Sequence, residues 1–189
     1  MKLFNHFDIL APIYDRVGKS ATSQRLIELC QFPVAGRLLD IAGGTGRKSY
    51  NLIGQATDIV IADSSHGMLE QAKNKGSLIT IEAQAEELPF RRESFARIIM
   101  VDAYHHLADH RKTVAELWRV LQPQGIIVIE EPDIQTALVK MIALIEKLAL
   151  MRSHFVSPQE IKESFIFPGA VSDIVLERNI AWIVIKKIT

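Results

Sequence analysis

Short aliphatic and β-branched runs recur at regular intervals after residue 36, at Arg37 to Ile41, Asp58 to Ala62, Leu78 to Glu82, Ala96 to Val101 and Ile126 to Glu130. These runs are mostly continuous rather than alternating, the pattern of strands whose two faces are both covered. Segments 46–54, 65–75 and 109–121 lie between them with helical spacing, and Gln-Pro-Gln-Gly at 122–125 stops the last one. Such strand–helix alternation predicts an α/β fold with a mostly parallel sheet and helices on both faces. Two further helical segments, 3–14 and 21–31, come before the first strand. After the fifth, 134–151 predicts a long helix whose polar positions Gln135, Thr136, Lys140, Glu146 and Lys147 form one narrow stripe, leaving most of its circumference apolar for a core, a lid, a subunit or a substrate pocket. The chain closes with two β-rich runs around Glu177 to Asn179, an antiparallel hairpin that dinucleotide-binding sheets do not usually carry.

With 189 residues the chain is predicted to form one domain. It divides into an N-terminal helical cap (1–33), a ligand-binding core (34–132) and a closing part (133–189). Lysine plus arginine balance aspartate plus glutamate at 22 each, so no basic field draws in nucleic acid, and a small, weakly charged ligand is the expectation. The single cysteine, Cys30, shares an apolar helical face with Leu26 and Ile27 and is read as core. The polar Asn5, His6 and Asp8 interrupt the opening segment as a signal peptide would not allow, and no apolar run is long enough to span a bilayer. A cytoplasmic protein is expected.

The candidate chemistry starts at Leu-Leu-Asp-Ile-Ala-Gly-Gly-Thr-Gly-Arg-Lys-Ser, residues 38–49. A phosphate-binding loop of the G-x-x-x-x-G-K-[ST] type fails here, because Arg47 separates Gly46 from Lys48 and Ile41 stands where its first glycine belongs. A dinucleotide fingerprint would need a third glycine at Ser49, a weaker fit that stays open. The remaining reading places an acid, Asp40, at a strand end and small residues Ala42, Gly44 and Gly46 at alternate positions after it. Backbone can then approach a ligand closely, and amides at the helix start can hold a carboxylate. Asp63 ends the next strand, where a carboxylate can accept from both hydroxyls of a ribose or cap the helix that follows.

The stretches "LLDIAGGTG", "DSSHGMLEQAK", "AEELPF" with "SFARIIMV", and "ELWRVLQPQGIIVIEEP" occur in an order and spacing that resemble the class I S-adenosylmethionine methyltransferases, in the family (type 11) of the ubiquinone and menaquinone C-methyltransferases. The similarity covers about residues 7–132. It implies a Rossmann-like class I methyltransferase fold with a seven-stranded sheet, and S-adenosylmethionine as cofactor with S-adenosylhomocysteine as product. By position, Asp40 and the backbone of Ala42, Gly43, Gly44, Thr45 and Gly46 would hold the methionyl part, with Tyr14 covering it. Asp63 would hold the ribose beside Ser64 and Met68. Gln84, Ala85 and Glu86 would face the adenine, and Val101 would lie under the cofactor. Departures from the pattern are Gln84 and Ala96 in place of aspartates and Arg47 in place of a frequently acidic residue. The chain is also shorter than typical quinone-pathway relatives.

Methyl transfer asks the protein to position a nucleophile and exclude water, with a base useful for a phenol or an enolisable carbon. Val-Asp-Ala-Tyr-His-His-Leu-Ala-Asp follows the fourth strand at its carboxyl end, where open parallel sheets bind ligands. Asp102, Tyr104, His105 and His106 are therefore the candidates for acceptor contact, with His105 or His106 as the base. One of these histidines could equally cap a helix or bond a carbonyl. A metal site built from them with Asp109 or His110 is not expected, because adjacent side chains diverge. The Pro-Pro-aromatic sequence of nucleic-acid amino-methyltransferases is absent after this strand. The expected partner is a small-molecule methyl acceptor, with a homodimer compatible with the apolar 134–151 helix. Two other readings remain: a cofactor-binding sensor without catalysis, and a nicotinamide-dependent dehydrogenase. The latter lacks Tyr-x-x-x-Lys, since Gly18, Gly54 and Ala108 follow Tyr14, Tyr50 and Tyr104 at that spacing.

Overall fold

A computed structural model describes residues 11, 24–136, 139 and 154–189. In chain order these form α1 (Gln24–Leu29), β1 (Leu38–Ile41), α2 (Arg47–Tyr50), β2 (Ile59–Asp63), α3 (His66–Lys73), β3 (Ile79–Glu82), β4 (Phe95–Val101), a 3-10 turn (Tyr104–His106), α4 (His110–Val120), β5 (Leu121–Pro132), α5 (Pro158–Ser164), β6 (Ala170–Glu177) and β7 (Ile180–Lys187). One seven-stranded sheet runs in the order β3-β2-β1-β4-β5-β7-β6. The first five strands are parallel, while β7 inserts antiparallel between β5 and β6. The mostly parallel sheet and the closing hairpin are thus as the sequence predicts.

Successive residues of the inner strands feed opposite layers, which explains their unbroken apolar runs. Leu39, Ile41, Ile98, Met100, Ile127 and Ile129 join one buried cluster with Val114 and Leu117 of α4. Their neighbours Leu38, Ile99, Ile126 and Val128 join the other, with Leu26 and Cys30 of the α1 segment. Cys30 is wholly buried and burial pushes its thiol up to about 12, so it is core as read. The edge strand β6 alternates exposed and half-buried positions, whereas β7 is buried almost throughout.

Three boundaries differ from the pattern. The helix expected over 46–54 is regular only to Tyr50, with Asn51 as its C-cap, and the chain turns on through Gly54 at φ +86°. β5 begins at Leu121, directly after α4, pairing with Phe95 before a register shift leads to Ile126 opposite Arg97. The helices expected at 3–14 and 134–151 lie almost wholly outside the described residues, and so does Tyr14. Among the described residues no helix is long and apolar enough to cross a membrane.

The strand order reverses between β1 and β4: β1 leads outward to β2 and β3, and β4 leads the other way to β5. Ligands of open α/β sheets bind at the carboxyl ends of strands around such a point. The loops after β1, β2, β4 and β5 all meet there.

Candidate functional site

The loop after β1 is shaped by what surrounds each small residue. Gly43 lies against the Asp40 side chain so closely that an added Cβ would sit 2.5 Å from its carboxylate. Gly46 has φ +70°, and a Cβ there would come within 2.6 Å of Ile61 and 2.9 Å of Leu78. Gly44 also has positive φ, +55°, but the space beside it is open, with only Met68 Sδ 3.9 Å from where a Cβ would be. Ala42 adopts φ +53° despite its methyl group, a conformation that costs a non-glycine residue about 1–3 kcal/mol. The loop is therefore held strained and bare, with Thr45 buried and its carbonyl accepting from Lys75 Nζ at 2.6 Å.

Asp40 is 2 % exposed and accepts a hydrogen bond from Ser49 Oγ at 2.6 Å. Burial pushes its carboxyl up to about 7; the Ser49 bond and the Lys48 cation oppose the rise, and nearby Asp63 adds to it. Asp40 thus supports the loop from beneath.

Asp63 joins the loop to the second strand. Its Oδ2 accepts from Gly44 N–H and its Oδ1 from Ser65 N–H, both at 2.8 Å. The cap of α3 is Ser65, whose Oγ accepts from Met68 N–H at 3.2 Å. Capping therefore does not account for Asp63. Each carboxylate oxygen offers about two acceptor positions, so a carboxylate at this place can accept from more than one donor. Ser64 is exposed and Met68 buried beside it.

The segment after β3 divides its predicted members. Gln84 is exposed, with its carbonyl accepting from Glu87 N–H at 3.1 Å, and Ala85 packs against the core. The Glu86 carboxylate is turned to the next loop instead: Oε1 accepts from Ala108 N–H at 3.0 Å and from Asp109 N–H at 3.1 Å. The following turn is tied to α4, because Glu116 accepts from Leu88 N–H while Arg119 donates to the carbonyls of Leu88 and Phe90. Ala96, the other departure, faces Gly36, where a Cβ would lie 2.6 Å from its own. Small size at 96 is a packing matter at the far end of β4 from the site.

Val101, the last residue of β4, is half-buried, and Asp102 after it has φ +52°. Tyr104 is 2 % exposed and stacks on His110 at 4.6 Å, so it belongs to the core rather than to an open face. His110 Nε2 meets the Tyr104 carbonyl at 3.0 Å. His105 is 5 % exposed, stacked on Phe155 at 4.4 Å and tilted against His106 at 4.0 Å. Its carbonyl accepts from His154 N–H at 2.7 Å, which ties the segment after residue 153 to this loop. Asp109 caps α4 by accepting from Lys112 N–H at 3.0 Å.

Two acids at the end of β5, Glu130 and Glu131, were not among the predicted site residues. Their signal in the sequence is a pair of charges ending an otherwise apolar strand, on the same edge as Asp40 and Asp63. Glu130 is 6 % exposed, its Oε2 is without a hydrogen-bond partner, and burial pushes its carboxyl up to about 7 against the pull of Lys48. Glu131 is equally buried and turns to the other layer, toward His105.

Comparison with known proteins places this architecture. Residues 39–129 match the sequence profile of a family described as a methyltransferase domain. The chain is 35 % identical over 136 residues to a demethylmenaquinone methyltransferase of Clavibacter sepedonicus, which covers 66 % of this chain and 56 % of that protein. It is 30 % identical over 144 residues to the ubiquinone/menaquinone biosynthesis C-methyltransferase UbiE of Saccharophagus degradans, covering 70 % of this chain and 56 % of that one. The chain thus spans little more than half the length of these curated relatives. Its fold is that of an S-adenosylmethionine-dependent methyltransferase of Thermotoga maritima, with a TM-score of 0.77, 20 % identity and coverage of 96 % of this chain and 97 % of the other. One from Aquifex aeolicus superposes with a TM-score of 0.72 at 14 % identity, covering 99 % and 100 %.

Proposed function

We propose, from the match of residues 39–129 to a methyltransferase domain, that the protein is an S-adenosylmethionine-dependent methyltransferase acting on a small, partly apolar molecule at carbon or oxygen. The observation that carries the reading is the pairing of the bare loop 42–46 with Asp63. Three glycines and a strained alanine keep side chains away from a ligand, and Asp63 is fixed at the edge of that loop by the amides of Gly44 and Ser65. The open space at Gly44 beside Met68 suits a nucleoside lying over the loop.

The residues present fit the cofactor. Loop amides from Ala42 to Gly46 would hold its methionyl carboxylate, Asp63 its ribose, and Ser64, Met68, Gln84, Ala85 and Val101 would line the rest, with Tyr14 as cover. When bound, the cofactor supplies an electrophilic methyl group on a sulfonium. The protein's own part is to exclude water and orient the acceptor. Asp102, His105 and His106 stand at the carboxyl end of β4, and His105 or His106 is the proposed base for an acceptor that must lose a proton. Phe155, Val156 and Ile161 bring apolar surface against that loop. The names of the relatives favour a quinone-like ring as acceptor class. That Glu86 binds loop backbone shifts its proposed role from the adenine to holding the neighbouring loop in place.

The test is calorimetry with S-adenosylmethionine, S-adenosylhomocysteine and NAD. Binding of the first two and not of NAD is expected; binding of NAD alone would overturn the reading in favour of a dehydrogenase. Transfer of labelled methyl from S-adenosylmethionine to demethylmenaquinone then tests the acceptor class. His105→Ala and His106→Ala should leave S-adenosylhomocysteine binding intact, and one of them should lower turnover about 100-fold or more. If labelled methyl reaches no acceptor although S-adenosylmethionine binds, the sensor reading gains.

A further inference from the structure

β5 ends in an acid that packing does not call for. Val101, Glu130, Trp182 and Val175 are paired in one row across four strands, so their side chains leave the sheet on the same face. Val101, Trp182 and Val175 all pack in the apolar layer of that face. An aliphatic residue would complete the row. A carboxyl stands there instead, 6 % exposed, and among the described residues nothing donates to its Oε2. The indole Nε1 of Trp182, 1 % exposed, is likewise unmet. Polar atoms buried without partners destabilise a fold, and ligand sites are where such a cost persists.

The surroundings of Glu130 say where its partner comes from. Its carbonyl accepts from Asp102 N–H at 2.9 Å, which holds the residue against the start of the loop after β4. The charges acting on its carboxyl are those of Lys48, just past the bare loop, and of Asp102 and Glu131. Lys48 and Asp102 belong to the two loops that flank the crevice, and the carboxyl lies within reach of both. Glu131 turns to the other layer and is taken up by residues 103–105, whereas Glu130 keeps an oxygen to spare. A hydroxyl both donates and accepts, so it can answer the unmet carboxyl and the unmet indole of this face, while an ammonium group could answer only the first.

We propose that Glu130 is a specificity-determining residue of the methyl-acceptor site: its Oε2 accepts a hydrogen bond from a hydroxyl of the acceptor, so that phenols and hydroquinones are selected over rings without a donor. This rests on the methyltransferase reading and narrows the acceptor class within it. A buried acceptor left unpaired penalises any molecule that cannot donate to it, which makes one hydroxyl a stronger discriminator than added apolar bulk.

The experiment is calorimetry on the full chain saturated with S-adenosylhomocysteine, titrated with 1-naphthol and with 1-fluoronaphthalene, the same ring bearing a substituent that cannot donate. The wild type should bind 1-naphthol about 10-fold or more tighter than its partner probe. Glu130→Leu should bind the two alike, through weaker binding of 1-naphthol, with S-adenosylhomocysteine affinity unchanged. Equal binding of both probes to the wild type, binding of neither, or a 1-naphthol preference that survives in Glu130→Leu overturns the proposal. Should the leucine variant not fold, Glu130→Gln decides: its uncharged oxygen should give a smaller preference than the wild type, and an undiminished one overturns the proposal as well. Failure of the methyltransferase reading would appear separately, as absent S-adenosylhomocysteine binding before any probe is added, and would remove the proposal with it.

Discussion

The loop after β1 and the loop after β4 flank the same crevice but are built by opposite means. The first is held by what it lacks: no side chain at Gly43, Gly44 or Gly46, left-handed backbone at 42, 44 and 46, and one carboxylate, Asp40, filling the floor. The second carries full side chains and is held from outside. Glu131 accepts from residues 103 and 104, Glu86 from residues 108 and 109, and the amide of His154 reaches the His105 carbonyl. Bare backbone suits a site that must admit one invariant ligand closely, while externally braced side chains can be exchanged to suit a different acceptor without disturbing that ligand.

Removing the one carboxylate that touches the bare loop should have the largest effect. Asp63→Ala deletes the acceptor for Gly44 N–H and both proposed ribose bonds, each charge-assisted and worth about 1.5–3 kcal/mol. Affinity for S-adenosylhomocysteine should fall by about 100-fold or more in a calorimetric titration. An unchanged affinity would mean that the bare loop works without it.

Next comes the loop's own shape. Gly46→Ala forces a methyl group against Ile61 and Leu78 in a left-handed conformation, and should destabilise the protein by about 2–3 kcal/mol. A melting point lowered by roughly 4–12 °C is the expected reading; a shift near zero would show that the crowding relaxes freely.

A third effect is read by pH. Burial raises Asp40 from 3.8 to about 7 and Glu130 from 4.5 to about 7. The unfolded chain gives up these protons earlier as pH rises, so their contribution favours folding most below about pH 4, declines up to about pH 7 and is level above. Urea unfolding across that range should show a shallower decline for Asp40→Asn than for the wild type. Identical slopes would show that Asp40 does not titrate across this range.

The smallest effect should come from loosening the braced loop at its outer end. Glu86→Ala frees two amides that water can partly satisfy, and should cost about 1 kcal/mol in unfolding experiments while leaving cofactor affinity within about threefold. A loss of affinity as large as that of Asp63→Ala would return Glu86 to the cofactor side.

The same contrast explains what could be read without a structure. The strands, the hairpin and the β1 loop were legible because their causes are local: continuous apolar runs, a turn at Arg178 and Asn179, glycines where φ must be positive. Asp63 was legible as a strand-ending acid, although its bonds to Gly44 and Ser65 were not. The bracing of the second loop was hidden, because Glu131 lies 26 to 28 residues from its three partners and Glu86 lies 22 to 23 from its two. Composition gives no sign of such pairings. The burial of Tyr104, a candidate for acceptor contact, was hidden for a related reason: it depends on the α4 and α5 segments packing over it, which no short window of sequence records.

The most direct measurement is a crystal structure with S-adenosylhomocysteine. The account predicts the nucleoside over Gly44, the Asp63 carboxylate accepting from both ribose hydroxyls, and the amino-acid end of the ligand at the amides of the β1 loop. An empty crevice at saturating ligand, or a ligand whose ribose bonds elsewhere while Asp63 holds only Gly44 and Ser65, would contradict it.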